Sequence, residues 1–323
     1  MTQQAITTTD LPLKLVARGK VRDVYDSGLS EGANAGALLF VATDRISAFD
    51  IILDNGIPSK GKLLHALSTF WFSLLTPSII GSHVLATDFS AFPAELQAKL
   101  SSVKDQVEGR SMLVRRADVI PVEAIVRGYI TGSGWKEYAK AGTVHGIRLE
   151  QGLKESQEIP GGPIFTPSTK AEQGEHDENI HPDKVADLVG KELAEKVSKA
   201  AVDLYAKAAS HARERGIILA DTKFEFGLVP PGAGSQELIL VDEVLTPDSS
   251  RFWDVKGYEV GTTPDSYDKQ YVREWLKANG LDKAADQGIK VRLPDEVVRK
   301  TSEKYKEAYE RITGQKWTGD GEA

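Results

Sequence analysis

The sequence predicts a two-part protein built from both strands and helices, and three observations carry that reading. At 323 residues the chain is longer than a single core usually serves. Apolar runs of strand length recur from residue 19 to residue 245. Helical spacing of apolar residues then dominates two segments, 182–216 and 294–313.

Taken in order, GKVRDVYDSG (Gly19 to Gly28) opens on a Gly-Lys pair. Glycine permits close backbone approach to a ligand, lysine supplies a point charge and arginine a planar fork. The spacing of Val21, Val24 and Tyr25 is that of a strand edge, so the stretch reads either as a loop over phosphates or as a turn entering a strand. Leu38 to Ala42 reads as a buried strand that completes a β-hairpin with it. FDIIL is a short strand leading into a turn and an apolar helix that begins near Lys62. Strand-like runs flank Pro121, which marks the expected junction between the two parts. Residues 152–179 are rich in Gly, Pro, Ser, Glu and Gln and read as a long loop. One helix is expected from Pro182 to a capping glycine, Gly216, on the spacing of Val185, Leu188, Val189, Leu193, Val197, Ala201, Leu204 and Ala208. A last helix follows Pro294, with Val298, Tyr305, Ala308 and Ile312 on one face.

Composition limits the function. A 41% hydrophobic and 27% charged chain is ordinary globular protein. A net charge of −7 argues against a nucleic-acid partner. The absence of cysteine excludes disulfides, thiolate metal sites and a cysteine nucleophile. No signal-peptide core or membrane-span segment stands out, and the expectation is a soluble cytoplasmic protein with no membrane partner.

The most informative alternation is Lys223-Phe224-Glu225-Phe226, which puts the phenylalanines on one face and the charges on the other. In ELILVDEVL, Asp242 falls at the end of a strand. A hairpin through PPGAGS would bring Glu225 close to Asp242, either as a magnesium site beside a lysine or as a solvated face with an ion pair. Asp248 and Arg251 follow a Thr-Pro turn as an anion-binding cluster. In VEAIVRGYITGSGWKEY, Arg127 ends a strand, and Gly132, Ser133 and Gly134 precede a helix expected from Trp135. Free amides at that helix start, with Arg127 nearby, suit a phosphate or carboxylate; the alternative is a strand-turn-helix with Ser133 as N-cap.

Gly56, Gly61 and Lys62 imitate a P-loop, but Leu63 stands where Ser or Thr must hold magnesium, so a Walker A site is rejected. Lys60 and Lys62 remain possible phosphate ligands. The polar run Glu172, Glu175, His176, Asp177, Glu178 and His181 reads as a solvated loop, a substrate-contacting loop in which Asp177 meets an amine, or a zinc site without helical spacing.

Seven stretches, GKVRDVYD, ATDRISAFD, VEAIVRGYITGSGWKEY, TKAEQGEHDENI, LADTKFEFG, VDEVLTPDSSRFW and SYDKQYVREWL, occur in this order between residues 19 and 276. Together they resemble the SAICAR synthetase family, over nearly the whole chain. The resemblance implies an α+β fold: a glycine-loop nucleotide subdomain over 1–120, similar to the small lobe of protein kinases, and a substrate- and metal-binding subdomain with C-terminal helices over 121–323. It implies an amide-forming ligase of purine biosynthesis that joins CAIR, a carboxyaminoimidazole ribonucleotide, to L-aspartate with ATP and Mg²⁺, as a monomer or small homo-oligomer.

By matching motif, Gly19, Lys20, Val21 and Arg22 would cover the ATP phosphates, with residues 112–122 bordering the adenine. Glu225 and Asp242 would hold Mg²⁺. Arg127, Ser133, Lys223, Asp248 and Arg251 would bind the ribonucleotide, Asp177 would lie near its reacting end, and Lys269 and Arg273 match a further basic motif. Lys20, Asp177 and Lys223 are the catalytic candidates. Pro230 to Ser235 looks like a turn insertion. A small-molecule kinase and a non-catalytic nucleotide-binding regulator are the rival readings.

Overall fold

The computed structural model describes residues 4–49, 51–170, 177–229, 236–267, 269–285 and 287–319. Glu172, Glu175, His176 and the expected turn Pro230 to Ser235 lie outside them. The chain forms two compact units: residues 1–70, 83–116 and 267–323 in one, residues 71–82 and 117–266 in the other.

The first unit holds a five-stranded sheet in the order Leu15–Arg18, Arg22–Asp26, Leu38–Ala42, Ser111–Val114, Val84–Ala86. All its pairings are antiparallel, and the expected hairpin is present with Tyr25 opposite Leu39 and Asp26 opposite Leu38. Tyr25, Leu39, Val41 and Leu113 from this sheet close a core with Leu96 and Leu100 of the helix Ala94–Leu100. A second core in the same unit joins Ile46, Ile51, Leu53 and Ile57 to Val272, Leu276, Val291, Leu293 and Val297. That core corrects the expected division at 120/121. The C-terminal helices Gln270–Ala278 and Asp295–Thr313 bury their apolar faces on the N-terminal segment, so they belong to the first unit. Sequence separation hides such packing.

The helix Lys60–Leu75 begins at Lys60, and its start explains the false P-loop. A Cβ on Gly61 would come within 2.3 Å of the Ala42 carbonyl, and one on Gly56 within 2.6 Å of the Asp44 carbonyl. Both glycines let backbone pack on backbone rather than cradle a phosphate. Asp44 accepts from the amides of Gly61 and Ile6, each at 2.8 Å, and from Arg110 Nη1 at 3.0 Å.

The second unit is built on a sheet in the order Ile164–Phe165, Asp118–Arg127, Ile217–Val229, Glu237–Val241, Gly81–Ser82. Ser168–Thr169 also pairs with Asp118–Arg127, and Ser250–Asp254 with Ile217–Val229. Pro121 does not separate two strands as expected. It lies inside Asp118–Arg127, where the ladder to Ile217–Val229 shifts register between Glu225 opposite Glu123 and Gly227 opposite Val119. An irregular stretch of ladder is where a residue without N–H can sit in a sheet.

Phe224 and Phe226 are fully buried, as their shared face predicts. The 24-residue helix Lys191–Glu214 packs on the same sheet through Val197, Ala201, Leu204 and Ala208, and the Tyr205 hydroxyl donates to the Leu219 carbonyl at 2.6 Å. The single helix expected from Pro182 is broken at Gly190. That residue has φ +83° and ψ 153°, which ends the short helix Val185–Val189 and leaves Leu188 46% exposed. Gly216, at φ +71°, does stand past the helix end. Among the described residues no helix is long and apolar enough to cross a membrane.

Candidate active site

The candidate site of the second unit is written on three adjacent strands. Asp221 is opposite Arg127, Lys223 opposite Ile125, and Glu225 opposite Glu123. Because side chains alternate along a strand, these pairs share one face while Phe224 and Phe226 take the other. On its other side Glu225 is opposite Val241, which places Asp242 next along that strand. Asp242 has φ +66° and Leu245 φ +53°, left-handed conformations that turn the chain sharply at the strand end.

One end of this face is acidic. Lys223 Nζ donates to Glu123 Oε1 at 2.6 Å, and Lys170 forms an ion pair with Glu225. Burial raises the Glu225 carboxyl, the charge of Asp242 raises it further, and Lys170 and Lys223 oppose the shift. Burial also raises Glu123, against Lys223 and with help from Asp177. Burial works to lower Lys223, but Glu123, Glu225 and Asp177 outweigh it and hold the amine above its ordinary range. Glu225 and Asp242 are thus neighbouring carboxylates that raise each other's cost of ionisation, an arrangement relieved by a cation. Lys170 supplies one positive charge there. Two oxygen donors fit Mg²⁺, which takes one or two carboxylates and leaves its other positions to phosphate and water. Among the described residues no cluster of three His, Asp or Glu side chains could hold a metal by itself.

The other end is basic. Arg127 Nη1 donates to Asp221 Oδ2 at 2.8 Å, Nε to Thr166 Oγ1 at 3.2 Å, and Nη2 to Ser133 Oγ at 3.3 Å. Arg251 also pairs with Asp221 Oδ2. Gly132 has φ +57°, and a Cβ there would meet Arg251 Nη2 at 2.6 Å. Glycine therefore serves both the turn and the close approach of the guanidinium. Burial lowers the Arg127 pKa, Asp221 opposes this and Arg251 adds to it. Two guanidiniums share one carboxylate, and Glu137 adds a second negative charge that is felt at Arg127. The helix here runs Gly132–Ala141 with Thr131 as N-cap, earlier than the expected start at Trp135, which frees Ser133 to meet Arg127.

The structure thus gathers Arg127, Ser133 and Arg251 at one end and Lys223, Glu225, Asp242 and Asp177 at the other. Asp248 lies in the turn before Ser250–Asp254, where its amide donates to Thr246 Oγ1 at 3.2 Å. His181 caps a 3₁₀ turn by accepting from the Asp183 amide at 3.3 Å. Sequence reasoning left out Asp221, Glu123, Thr166 and Lys170. Asp221 and Glu123 had a signal: each falls two or four residues from a chosen candidate on the same strand, so period two alone puts them on that face.

The remaining candidates belong to the first unit. Gly19, Lys20 and Val21 form the turn between Leu15–Arg18 and Arg22–Asp26, and Gly19 N–H donates to the Arg22 carbonyl at 2.7 Å. Lys60 is fully buried, with Nζ 5.9 Å from the Tyr305 ring centroid. Lys62 Nζ donates to the Gly319 carbonyl at 3.4 Å. Lys269 is the N-cap residue of the helix Gln270–Ala278, in which Arg273 N–H donates to the Lys269 carbonyl at 3.0 Å.

Comparison with known proteins gives the family. The profile of the SAICAR synthetase family matches residues 15–288. Phosphoribosylaminoimidazole-succinocarboxamide synthase of Saccharomyces cerevisiae is 55% identical over 319 residues, 97% of this chain and 99% of the yeast protein. A structure of the SAICAR synthase from Saccharomyces cerevisiae complexed with SAICAR superposes with a TM-score of 0.84 at 52% identity, covering 97% of this chain and all of the other. A SAICAR synthetase in complex with ADP gives 0.64 at 26% identity, covering 93% of this chain and 98% of the other. The α+β fold is the fold of these proteins, and the chain belongs to the SAICAR synthetase family.

Proposed function

We propose that this protein ligates the carboxylate of CAIR to the amine of L-aspartate at the expense of ATP, giving SAICAR, ADP and phosphate. The observation that carries this reading is the sorting of charge along one strand face. Arg127 and Arg251 converge on Asp221 at one end, two guanidiniums suited to the 5′-phosphate of a ribonucleotide. Glu225 and Asp242 lie at the other end, suited to a nucleotide-bound Mg²⁺. The ADP and SAICAR complexes of relatives support both ligand classes.

A carboxylate is a poor electrophile and must be activated before an amine can displace oxygen from it. In this reading the CAIR carboxylate attacks the γ-phosphorus of ATP, and the resulting acyl phosphate is opened by the aspartate amine with loss of phosphate. Phosphoryl transfer depends chiefly on positioning and on neutralising charge. Bound Mg²⁺ would supply neutralisation at Glu225 and Asp242. The turn Gly19–Arg22, with the Lys20 ammonium, binds the phosphates; Lys60 and Lys62 are further candidates. Ser133, Lys223 and Asp248 orient the ribonucleotide together with the two arginines, and Lys269 and Arg273 add basic contacts. Asp177, whose charge is felt by both Glu123 and Lys223, holds or deprotonates the incoming amine.

The test is ADP release from ATP and CAIR, with and without aspartate, across magnesium concentrations. Sustained release is expected only with all three substrates. Sustained release without aspartate would favour a kinase and defeat the ligase reading. In the same assay Glu225→Gln should need severalfold more magnesium, and an unchanged requirement would remove Glu225 from the metal site.

A further inference from the structure

Arg45 is 7% exposed, and its guanidinium is used almost wholly on backbone. Nη1 donates to the Thr7 carbonyl at 2.7 Å. Nη2 reaches the carbonyls of Gly19 at 2.9 Å and Arg22 at 3.1 Å, and Asp23 Oδ1 at 2.7 Å, while Nε reaches the Lys20 carbonyl at 3.4 Å. The one carbonyl of the turn that Arg45 leaves, that of Val21, accepts from Thr43 Oγ1 at 2.8 Å and from Thr43 N–H at 2.9 Å. Asp23 is fully buried and accepts from Thr9 Oγ1 at 2.6 Å, so the guanidinium it faces is fixed from behind. All four consecutive carbonyls of Gly19 to Arg22 are therefore gripped from the inner side of the turn.

A trans peptide unit is planar, with C=O and N–H pointing in opposite directions. Gripping the Gly19 and Lys20 carbonyls inward turns the N–H groups of Lys20 and Val21 toward the exposed side of the turn. Anion-binding loops work by presenting backbone N–H groups in this way.

We propose that Arg45 is a positioning residue for nucleotide binding: it sets the peptide planes of the turn so that the N–H groups of Lys20 and Val21 and the Lys20 side chain meet the phosphates of ATP. This rests on the phosphate-binding role given to that turn above. Arg45→Lys keeps a positive charge facing Asp23, but one ammonium cannot span the Thr7, Gly19, Lys20 and Arg22 carbonyls together.

The expected result in steady-state assays is a rise of about tenfold in KM for ATP, with KM for CAIR and for aspartate within about twofold of the parent. Thr43→Val, which takes the hydroxyl from the Val21 carbonyl and from the Arg45 amide but leaves the Arg45 guanidinium in place, should move the same constant by about two- to threefold and serves alone if Arg45→Lys does not fold. A KM for ATP unchanged in the variants that fold, or an equal rise for all three substrates, would overturn the inference and leave Arg45 as a fold-stabilising residue. Lys20→Ala separates this failure from that of the turn's role. If Lys20→Ala raises KM for ATP while Arg45→Lys and Thr43→Val do not, only the Arg45 inference falls. If Lys20→Ala has no effect either, the turn does not bind phosphate and both readings fall.

Discussion

Two buried arginine–aspartate pairs, one in each unit, have similar lengths and different surroundings. In the first unit Arg110 and Asp44 meet at 3.0 Å, each side chain 1% exposed. Asp44 also takes the amides of Ile6 and Gly61, and Arg110 Nη1 also takes the Ala42 carbonyl. One cation meets one anion, and the carboxylate is fully engaged by its own chain. In the second unit Arg127 meets Asp221 at 2.8 Å, but Arg251 claims the same oxygen. The first carboxylate is closed by backbone amides, whereas the second is met by two guanidiniums on the face that also carries Lys223 and Glu225. The difference teaches that the partners around a buried pair, more than its length, set the two apart.

The comparison can be broken at its structural side first. Asp44→Ala leaves Arg110 buried without its anion and should cost about 3–5 kcal/mol, because breaking a buried pair strands a charge. Denaturant unfolding checks this, and a loss under about 1 kcal/mol would show the pair is not closed by the protein itself.

Next in size is a pH effect in the same unit. His65 is buried, with Nε2 3.0 Å from the Thr87 carbonyl, and burial lowers its pKa from 6.5 to about 4. Because the folded pKa lies below the unfolded one, the unfolded chain binds more protons between these values. Stability is then fully present above pH 6.5 and falls as the pH drops toward 4, by up to about 3 kcal/mol. His65→Gln should flatten that part of the stability–pH curve; an unaltered slope would assign the acid sensitivity to other groups.

The functional side should respond in KM rather than in folding. Arg251→Gln removes one of the two guanidiniums on Asp221 while Arg127 still neutralises it. A loss of one charge-assisted contact, about 1.5–3 kcal/mol, predicts a rise in KM for CAIR on the order of ten- to a hundredfold, with KM for ATP unchanged. A thermal midpoint that drops while KM for CAIR stays constant would make this second pair structural too.

Much of this site was legible before any coordinates. The Lys223-to-Phe226 alternation gave the burial of both phenylalanines, and the hairpin partner of Glu225 follows from the apolar run before Asp242. Less was legible where packing overrides local pattern. Leu188 fits the helical spacing, yet Gly190 ends that helix and leaves it exposed. Ser133 has the chemistry of an N-cap, but Thr131 takes that place and Ser133 turns to Arg127. Lys60 resembles a phosphate ligand from its neighbours, and only the fold shows it fully buried near Tyr305.

By itself the sequence determined the elements and their faces, because period and residue type are local properties: the hairpin at Arg22–Asp26, the charged face through Lys223 and Glu225, and the final helix Asp295–Thr313. Only the tertiary structure decided what meets what. It set Glu123 opposite Glu225, put two arginines on Asp221, returned the C-terminal helices to the N-terminal core, and ran Arg45 beneath the Gly-Lys turn. These contacts join residues tens to hundreds of positions apart. Register and long-range packing select such partners, and a one-dimensional pattern carries neither.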